Sequence, residues 1–301
     1  FLIGLVDRLD QSSIDKSQLP AYPLIELHSI GIEDLDELCD KYNITELNTA
    51  VKPFFMEYVY ITYPEAEIVH YFDPDILVFQ ALNEIETPLK NHSLVLTPHI
   101  VSPYPDTSRP QETDLLNTGI FNLGFLGTKR SPNTLAFLHW WKERLRDQCY
   151  IDLANGMFVD QLWVNFAPVY FDDVYISRHL GLNMAYWNLH ERVITSDNEP
   201  YQINEKYPLI FFHFSGYSPE KPTQISKYQN RYTFQEKGDV ASLFDFYAQA
   251  LIANGHNLYK KFPCFYIKPA PILPRKRFLR VRKYTSMPFR WLVNFIDTVK
   301  L

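Results

Sequence analysis

The sequence predicts an α/β fold with a mainly parallel sheet flanked by helices. Short apolar runs typical of strands alternate with longer segments whose apolar residues recur at helical spacing, which is the pattern of β-α-β units. The chain has 301 residues, of which 46% are apolar and 21% charged. Such a chain is long and apolar enough to bury a core as one large domain, and its composition excludes a disordered protein.

Six segments are predicted as strands because each is short, apolar and bounded by turn residues. They cover residues 1–6 (FLIGLV), 23–30, 67–72 (EIVHYF), 94–97, 118–126 (TGIFNLGFL) and 209–214 (LIFFHF). The third of these runs leads directly into Asp73-Pro74-Asp75. That strand is therefore expected to present two carboxylates at its end.

The predicted helices lie near residues 33–42, 45–63, 131–145, 158–166 and 239–253. Pro53 lies inside the second of them and predicts a kink. Ser131 followed by Pro132 is typical of an N-cap and a first helical position, and Asp239 is expected to cap the last helix. The chain is predicted to divide into a catalytic domain, residues 1–255, and an extension, residues 256–301.

Charge is distributed unevenly along the chain. Residues 260–301 hold eleven Lys and Arg residues against the single acid Asp297, so this tail carries +10 although the whole chain carries −6. Aromatic residues are interleaved with the basic ones. This mixture favours a tail that rests on an anionic membrane surface, with a solvated tail or a polyanion-binding patch as alternatives.

Other counts limit the class of protein. No run approaches eighteen apolar residues, and no basic-then-apolar leader precedes a cleavage site, so neither a spanning helix nor a signal peptide is expected. Cys39, Cys149 and Cys264 are odd in number and widely spaced, which fits neither a disulfide framework nor a zinc site. We therefore predict a cytoplasmic protein, peripheral on the inner face of the plasma membrane if its tail attaches there.

Asp73 and Asp75 form the sharpest local motif. Two carboxylates at the carboxyl end of an apolar strand lie where open α/β sheets bind ligands. Mg²⁺ and Mn²⁺ take one or two carboxylates together with phosphate oxygens, so the pair predicts a cation that binds a diphosphate. The alternative is a solvated turn, since Asp and Pro are common turn residues.

Three further groups of polar residues stand out. His213 ends an apolar strand and is a candidate third metal ligand, with Lys221 beyond it to neutralise a diphosphate; a histidine satisfied within the core is the alternative. Asp160-Gln161 suits sugar hydroxyls or an oxocarbenium-like centre, or simply a helix N-terminus. Residues 183–192 (NMAYWNLHER) mix polar and aromatic side chains as carbohydrate sites do, but a well-packed loop has the same composition.

Several nucleotide and hydrolase motifs are missing from the sequence. It contains no G-x-x-x-x-G-K-[ST], no G-x-G-x-x-G after a strand and no G-x-S-x-G. The sequence therefore lacks the motifs that would best support assignment as a P-loop enzyme, a Rossmann dehydrogenase or an α/β-hydrolase.

Taken in order, the motifs resemble those of GT-A fold glycosyltransferases, and in particular glycosyltransferase family 8 and related uncharacterised bacterial members. The resemblance spans roughly residues 45–225. Its motifs are Asp73-x-Asp75, then Asn117-Thr-Gly-Ile-Phe-Asn122, then Asp160-Gln161 with Asn165, and then His213-Phe-Ser-Gly216 with Lys221-Pro222. It implies a metal-dependent enzyme that moves a sugar from a nucleotide-diphosphate sugar, by expectation a UDP-sugar, to a glycan or lipid-linked acceptor.

The resemblance also assigns residue roles. It implies that Asp73, Asp75 and His213 hold Mn²⁺ or Mg²⁺, and that Asp160 and Gln161 flank the anomeric carbon as catalytic residues. The implied nucleotide-sugar contacts are Lys52, Asp73, Asn117, Asn122, Asn183, Gly216 and Lys221. Transfer with retention of anomeric configuration and a part in bacterial polysaccharide assembly follow from the same resemblance, and no nucleic-acid partner is expected.

The chain departs from the family pattern in three places. Leu162 stands where a second acid usually follows the Asp-Gln pair, the interval from His213 to Lys221 is long, and the first strand of the fold is expected before Phe1. A sugar-phosphate nucleotidyltransferase, a catalytically inactive carbohydrate-binding protein and a glycosidase are the alternative functions. The first normally needs a Gly-rich basic loop near its N-terminus, the second needs no metal ligands, and the third usually needs no metal.

Overall fold

The computed structural model describes residues 1–195 and 200–268. Residues 1–267 form one compact unit. Among the described residues, no helix combines the length and the apolar character needed to cross a bilayer. The basic tail predicted to attach to membranes lies outside the described residues, except for its first part up to residue 268.

The N-terminal part of the chain contains two paired strands and three helices. Strands β1 (Ile3–Leu5) and β2 (Leu24–Glu26) pair in parallel, and helices α1 (Leu35–Lys41), α2 (Ile44–Ala50) and α3 (Lys52–Thr62) follow. The predicted single kinked helix over residues 45–63 is wrong, because the helix breaks at Val51. Pro53 lies in the first turn of α3, where the missing N–H would have no helical partner in any case.

The rest of the described chain continues the alternation of strands and helices. The further strands are β3 (Ile68–Phe72), β4 (Ile76–Val78), β5 (Leu94–Leu96), β6 (Phe125–Lys129), β7 (Ile151–Asp152), β8 (Met157–Phe158), β9 (Val174–Ile176), β10 (Gln202–Ile203), β11 (Tyr207–Pro208) and β12 (Phe211–His213). The further helices are α4 (Asn83–Leu89), α5 (Glu112–Thr118), α6 (Pro132–Asp147), α7 (Ala167–Tyr170), α8 (Ala241–Ala253) and α9 (His256–Tyr259).

The central sheet is mixed, and the predicted mainly parallel sheet is wrong. Its order is β3-β6-β5-β9, in which β6 runs antiparallel to both of its neighbours and only β5 and β9 are parallel. A second pair, β4 and β12, is also antiparallel. The alternation of strand and helix in a sequence does not define strand direction, since direction depends on which strands become neighbours. The α/β class itself is confirmed.

Two other local predictions fail where a turn replaces a regular element. The segment predicted as a strand over residues 118–126 is the end of α5 followed by a turn, and β6 begins only at Phe125. Gly119 ends the helix at φ +117°, a conformation that side chains disfavour. The helix predicted over residues 158–166 is instead the end of β8, a turn and a 3₁₀ segment, Trp163–Phe166.

Of the two predicted helix caps, one is confirmed and the other is wrong. Ser131 caps α6 as predicted, because its Oγ accepts a hydrogen bond from the amide of Thr134 at 3.0 Å. Asp239 does not cap α8. Its carboxylate accepts instead from the amide of Ile194 at 3.0 Å, and a 3₁₀ turn precedes the helix.

The buried apolar residues place the sheet between two layers. On one side, α3 and α6 bury Tyr60, Phe137 and Trp141. On the other side, Phe125 of β6 packs against Phe211 of β12. Asp73, which follows β3, lies close to His213, which ends β12, so the fold brings the predicted site residues of both strands together.

Residues beyond 255 contact the start of the chain. The amide of Phe265 donates to the carboxylate of Asp7 at 2.8 Å, and Sγ of Cys264 lies 3.3 Å from the carbonyl oxygen of Val6. The division into a catalytic domain and an extension at residue 255 remains a prediction.

Candidate metal and donor site

Asp73, Asp75 and His213 converge at the end of β3. Asp73 follows directly after β3, and Asp75 precedes β4, whose Ile76 pairs with His213 of β12. The potential ligand atoms of the three side chains all lie within 4.8 Å of one another. The sequence prediction that these residues come together is therefore confirmed, and the cluster can hold a metal ion.

Main-chain hydrogen bonds hold the two carboxylates in place. The amide of Asp73 donates to the carbonyl of Gly124 at 2.7 Å, and the carbonyl of Asp75 accepts from the amide of Phe214 at 2.8 Å. The side chains of Asp73 and Asp75 are 25% and 39% exposed, whereas that of His213 is 4% exposed. The cluster thus has a buried imidazole side and a solvent-facing carboxylate side.

The His213 imidazole favours the ionised form of the Asp75 carboxyl. Burial opposes that form, but the hydrogen bond and the electrostatic interaction with His213 outweigh burial and lower the pKa of Asp75. Nε2 of His213 lies 2.9 Å from Oδ1 of Asp75. A carboxylate next to an imidazole nitrogen is a mixed oxygen and nitrogen donor set that can bind a divalent cation.

Lys52 links this cluster to Asp160. Its Nζ lies 3.3 Å from Oδ1 of Asp73, 2.9 Å from Oδ2 of Asp160 and 3.0 Å from the carbonyl oxygen of Leu123. Burial disfavours the charged amine, but the two carboxylates outweigh it and hold the pKa of Lys52 well above its usual range. Lys52 therefore carries a positive charge inside the protein, next to the predicted metal ligands.

The two predicted catalytic residues are almost entirely buried. The Asp160 side chain is 3% exposed and ion-paired with Lys52, and burial raises the pKa of Asp160. Gln161 donates from Nε2 to the carbonyl of Thr118 at 2.7 Å. Neither side chain is open to solvent in this structure, so their proposed contact with a sugar remains a prediction.

The three predicted hydroxyl-binding asparagines occupy different environments. Asn117 is exposed in the last turn of α5. Asn122 and Asn183 are buried and hydrogen-bonded to each other, with Nδ2 of Asn183 donating to Oδ1 of Asn122 at 3.0 Å. In this structure, Asn122 and Asn183 therefore position other protein groups.

Gly216 and Lys221 lie on the segment after β12. Gly216 has φ +72°, and an added Cβ would stand 2.6 Å from Ser226 Oγ and from Tyr228 Cδ2, so glycine is required there by both backbone and packing. The side chain of Lys221 is exposed on the turn that follows. Among the described residues, no hydrogen bond or ion pair joins Gly216 or Lys221 to Asp73 or Asp75. Their diphosphate roles remain predictions.

Three further residues complete the site, of which sequence reasoning did not select Tyr71 and Gly124, whereas Trp187 lies in the stretch 183–192 that it singled out. The hydroxyl of Tyr71 donates to Oδ1 of Asp73 at 2.5 Å, and its ring lies 4.8 Å from Nζ of Lys52. Trp187 packs edge-on against His213 with ring centroids 5.2 Å apart. Gly124 leaves the space that His213 occupies, because a Cβ there would overlap the imidazole ring. Tyr71 also carried a sequence signal, since it shares a strand face with Asp73, whereas Gly124 carried none.

Comparison with known proteins gives relatives without an assigned function. No known family profile matches the chain. The uncharacterised protein YfnF of Bacillus subtilis is 27% identical over 207 residues, which cover 68% of this chain and 67% of YfnF. The uncharacterised protein YfnD of the same organism is 29% identical over 202 residues, which cover 64% of this chain and 61% of YfnD. The chain thus spans about two thirds of the length of these relatives.

One solved structure is also similar. It is a glycosyltransferase involved in the glycosylation of the major capsid of PBCV-1, with 10% sequence identity and a TM-score of 0.37, and the match covers 65% of this chain and 79% of that chain. Such a score does not establish a common fold. The functional assignment therefore depends on the site itself.

Proposed function

We propose that this chain is a metal-dependent glycosyltransferase that moves a hexose from a UDP-sugar to a glycan or lipid-linked acceptor. The observation that carries the proposal is the convergence of Asp73, Asp75 and His213 beside the charged Lys52. A donor set of two carboxylates and one imidazole fits a divalent cation that also binds phosphate oxygens. The order of the sequence motifs supports the GT-A assignment.

The metal ligands and the basic residues have separate tasks in this proposal. Asp73, Asp75 and His213 hold Mn²⁺ or Mg²⁺, which when bound supplies positive charge to the diphosphate leaving group. Lys221 contacts the departing diphosphate, and Gly216 lets the backbone approach it. Charge that develops on the leaving group is thereby stabilised by groups already in place before the reaction begins.

Asp160 and Gln161 serve the reacting sugar in this proposal. Lys52 compensates the buried charge of Asp160 and orients its carboxylate, since Nζ lies 2.9 Å from Oδ2. Gln161 faces the sugar opposite the leaving group, and the transfer retains anomeric configuration. Proton NMR of the freshly formed product tests this, because the coupling constant of the anomeric proton distinguishes retention from inversion.

The acceptor and the location of the enzyme are proposed from the tail. A lipid-linked acceptor on the inner face of the plasma membrane would lie next to an enzyme whose basic aromatic tail rests on anionic lipid. Cosedimentation with anionic vesicles at low and high salt tests this, with a chain lacking residues 270–301 as the control. Equal cosedimentation of both chains would contradict membrane attachment through the tail.

The experiment that tests the donor site is calorimetric titration of UDP into the protein with Mn²⁺, and again with a chelator. We expect binding that requires Mn²⁺ and is lost in Asp75→Asn, because the neutral amide is a weaker metal ligand than the carboxylate. Asp10→Asn is the matched control, since Asp10 is a half-exposed aspartate paired with Arg8 outside the site.

The other outcomes would favour the alternative functions. UDP binding that needs no metal, or no binding to UDP or GDP, would remove the metal site from the proposal and favour an inactive carbohydrate-binding protein. Metal-dependent binding of a nucleoside triphosphate together with a sugar phosphate would favour a nucleotidyltransferase. Hydrolysis of a glycoside in the presence of chelator would favour a glycosidase.

A further inference from the structure

A series of buried side chains within hydrogen-bonding distance of one another connects a backbone carbonyl with the predicted metal ligands. Nδ1 of His99 lies 3.0 Å from the carbonyl oxygen of Ile120, and Nε2 of His99 lies 3.3 Å from Nδ2 of Asn122. Oδ1 of Asn122 lies 3.1 Å from Nδ1 of His213, whose Nε2 faces Asp75. His99, Asn122 and His213 are each less than 8% exposed.

The direction of each hydrogen bond follows from groups that can act in only one way. A backbone carbonyl only accepts, so Nδ1 of His99 donates to Ile120 and Nε2 of His99 is left as an acceptor. Since burial lowers the pKa of His99 to about 4, its ring carries one proton at neutral pH. Nδ2 of Asn122 therefore donates to Nε2 of His99.

The amide of Asn122 is fixed independently at its other end. The backbone N–H of Gly124 only donates and lies 3.1 Å from the side-chain atom assigned as Oδ1. The amide of Asn183 also donates to that oxygen, at 3.0 Å. Two donors on one side and an acceptor on the other leave only one orientation of the Asn122 side chain.

With Oδ1 of Asn122 facing it, Nδ1 of His213 must carry a proton. We propose that Asn122 is the positioning residue that keeps a proton on Nδ1 of His213, so that a cation held by Asp73 and Asp75 displaces the proton by which Nε2 bonds to Asp75 and binds the lone pair of Nε2. This inference rests on the proposed metal-dependent function. His99 holds Asn122 in turn, so the orienting contacts extend two residues behind the ligand.

Such supporting contacts usually have a measurable effect on metal affinity. A ligating histidine generally donates its other N–H to a fixed acceptor, and loss of that acceptor typically weakens metal binding by about 10- to 100-fold. Asn122→Leu removes the acceptor and keeps a similar volume. Asn122→Asp keeps an acceptor oxygen for His213, so it should restore affinity toward that of the unchanged chain.

The first test measures the affinity for Mn²⁺ alone by electron paramagnetic resonance of the free ion. We expect Asn122→Leu to bind Mn²⁺ about 10- to 100-fold more weakly than the unchanged chain, with Asn122→Asp closer to it. Thr128→Val is the matched control, because it removes a buried hydroxyl of β6 that bonds to the Tyr60 hydroxyl and to the carbonyl of Val69 but to none of the candidate ligands. Thermal unfolding of each variant separates loss of fold from loss of the ligand.

The second test observes the tautomer directly. Nitrogen-15 NMR of the protein loaded with Cd²⁺, a diamagnetic probe ion, should show His213 with a protonated Nδ1 and a metal-bound Nε2. A protonated Nε2, or equal Mn²⁺ affinity in Asn122→Leu and the unchanged chain, would overturn the role of Asn122 and leave the metal site intact. Failure of the unchanged chain to bind Mn²⁺ would instead overturn the proposed metal site, and this inference with it.

Discussion

Two clusters of buried charge in the described part of the chain serve different purposes. The first, which we call the Arg192 cluster, consists of Arg192, Glu191 and Ser102. The second, the Lys52 cluster, consists of Lys52, Asp73 and Asp160. Both bring ionised side chains into the interior, where charge is costly unless it is paired.

The polar groups of the Arg192 cluster bond mainly to backbone atoms. Nη1 of Arg192 donates to the carbonyls of Leu180 and Leu182 at 3.0 and 2.6 Å, and burial lowers the pKa of Arg192 to about 10. The Glu191 carboxylate accepts from the amide of Val101 and from the hydroxyl of Ser102 at 2.6 Å. These bonds tie two loops together and leave little capacity for a ligand.

In the Lys52 cluster, the charged groups pair mainly with one another, and one edge of the cluster is exposed to solvent. Nζ of Lys52 contacts two carboxylates, and Asp73 remains 25% exposed beside the more exposed Asp75. Exposed ionised oxygens held by a buried cation are available to a ligand. The comparison teaches that burial of charge alone does not identify a site, and that carboxylate oxygens at an accessible edge leave room for a ligand.

The largest expected effect breaks the Arg192 cluster. Arg192→Met should lower the free energy of unfolding by about 3 to 5 kcal/mol, because it leaves Glu191 and two carbonyls without their partner in the interior. Chemical denaturation measures this. Arg8→Met, which removes an exposed pair with Asp10, should lower the free energy of unfolding far less, because solvent screens that pair. An unchanged Mn²⁺ affinity in Arg192→Met would confirm that this cluster is structural.

A double-mutant cycle examines the Lys52 cluster. Lys52→Met should destabilise the fold by about 3 kcal/mol, since it leaves Asp160 buried and uncompensated. Lys52→Met combined with Asp160→Asn should recover most of that loss, because the uncompensated charge is gone. Additive losses in the two single variants, measured by chemical denaturation, would show that the pair is not coupled.

His70 sharpens the comparison, because it is a largely buried ionisable group whose ring nitrogens have no hydrogen-bond partner in the described structure. Burial lowers the pKa of His70 to about 4, so the unfolded chain binds a proton more readily. The neutral form of His70 therefore contributes fully to the free energy of unfolding above pH 6.5. This contribution is lost as the pH falls from 6.5 to 4. By linkage the loss approaches about 3 kcal/mol.

The measurement for His70 is the free energy of unfolding as a function of pH. His70→Leu should show a shallower decline than the unchanged chain between pH 6.5 and 4, because one of the groups that titrate on unfolding is absent. Parallel curves for the two proteins in that range would contradict the prediction.

The smallest expected effect comes from a substitution that displaces the candidate ligand His213 but does not remove it. Gly124→Ala places a Cβ 2.7 Å from Nδ1 of His213, so the imidazole must move away from Asp75. We expect at least a tenfold loss of Mn²⁺ affinity, about 1.4 kcal/mol, in titrations with Mn²⁺ alone. Gly238→Ala is the matched control, since an added Cβ there has nothing within 4 Å. Equal affinities in the two variants would show that His213 tolerates the displacement.

Local features were predictable from the sequence because their causes are local. Ser131 caps α6 through a bond that spans three residues, and the apolar run before Asp73 becomes β3 as expected. The break at Val51 was missed because helical spacing of apolar residues continues across it. The turn at Gly119 was missed because apolar residues on both sides of it resemble a strand.

Prediction of the site was limited in the same way to features that are visible over short stretches of sequence. Asp73, Asp75 and His213 were found because their residue types and the ends of apolar strands are visible in the chain. The roles of Lys52 and Asn122 were only partly visible, because each acts through residues far away in sequence. Lys52 contacts Asp160 across 108 positions, and Asn122 contacts His213 across 91.

By itself, the sequence determined the α/β class, the positions of β1, β2, β3, β5 and β12, and the candidate metal ligands, since these depend on short-range periodicity and side-chain chemistry. Only the tertiary structure decided the strand directions, the burial of Asp160 and the hydrogen-bonded path from His99 to His213. Those features depend on which distant segments become neighbours, and that choice is made by the packing of the whole chain.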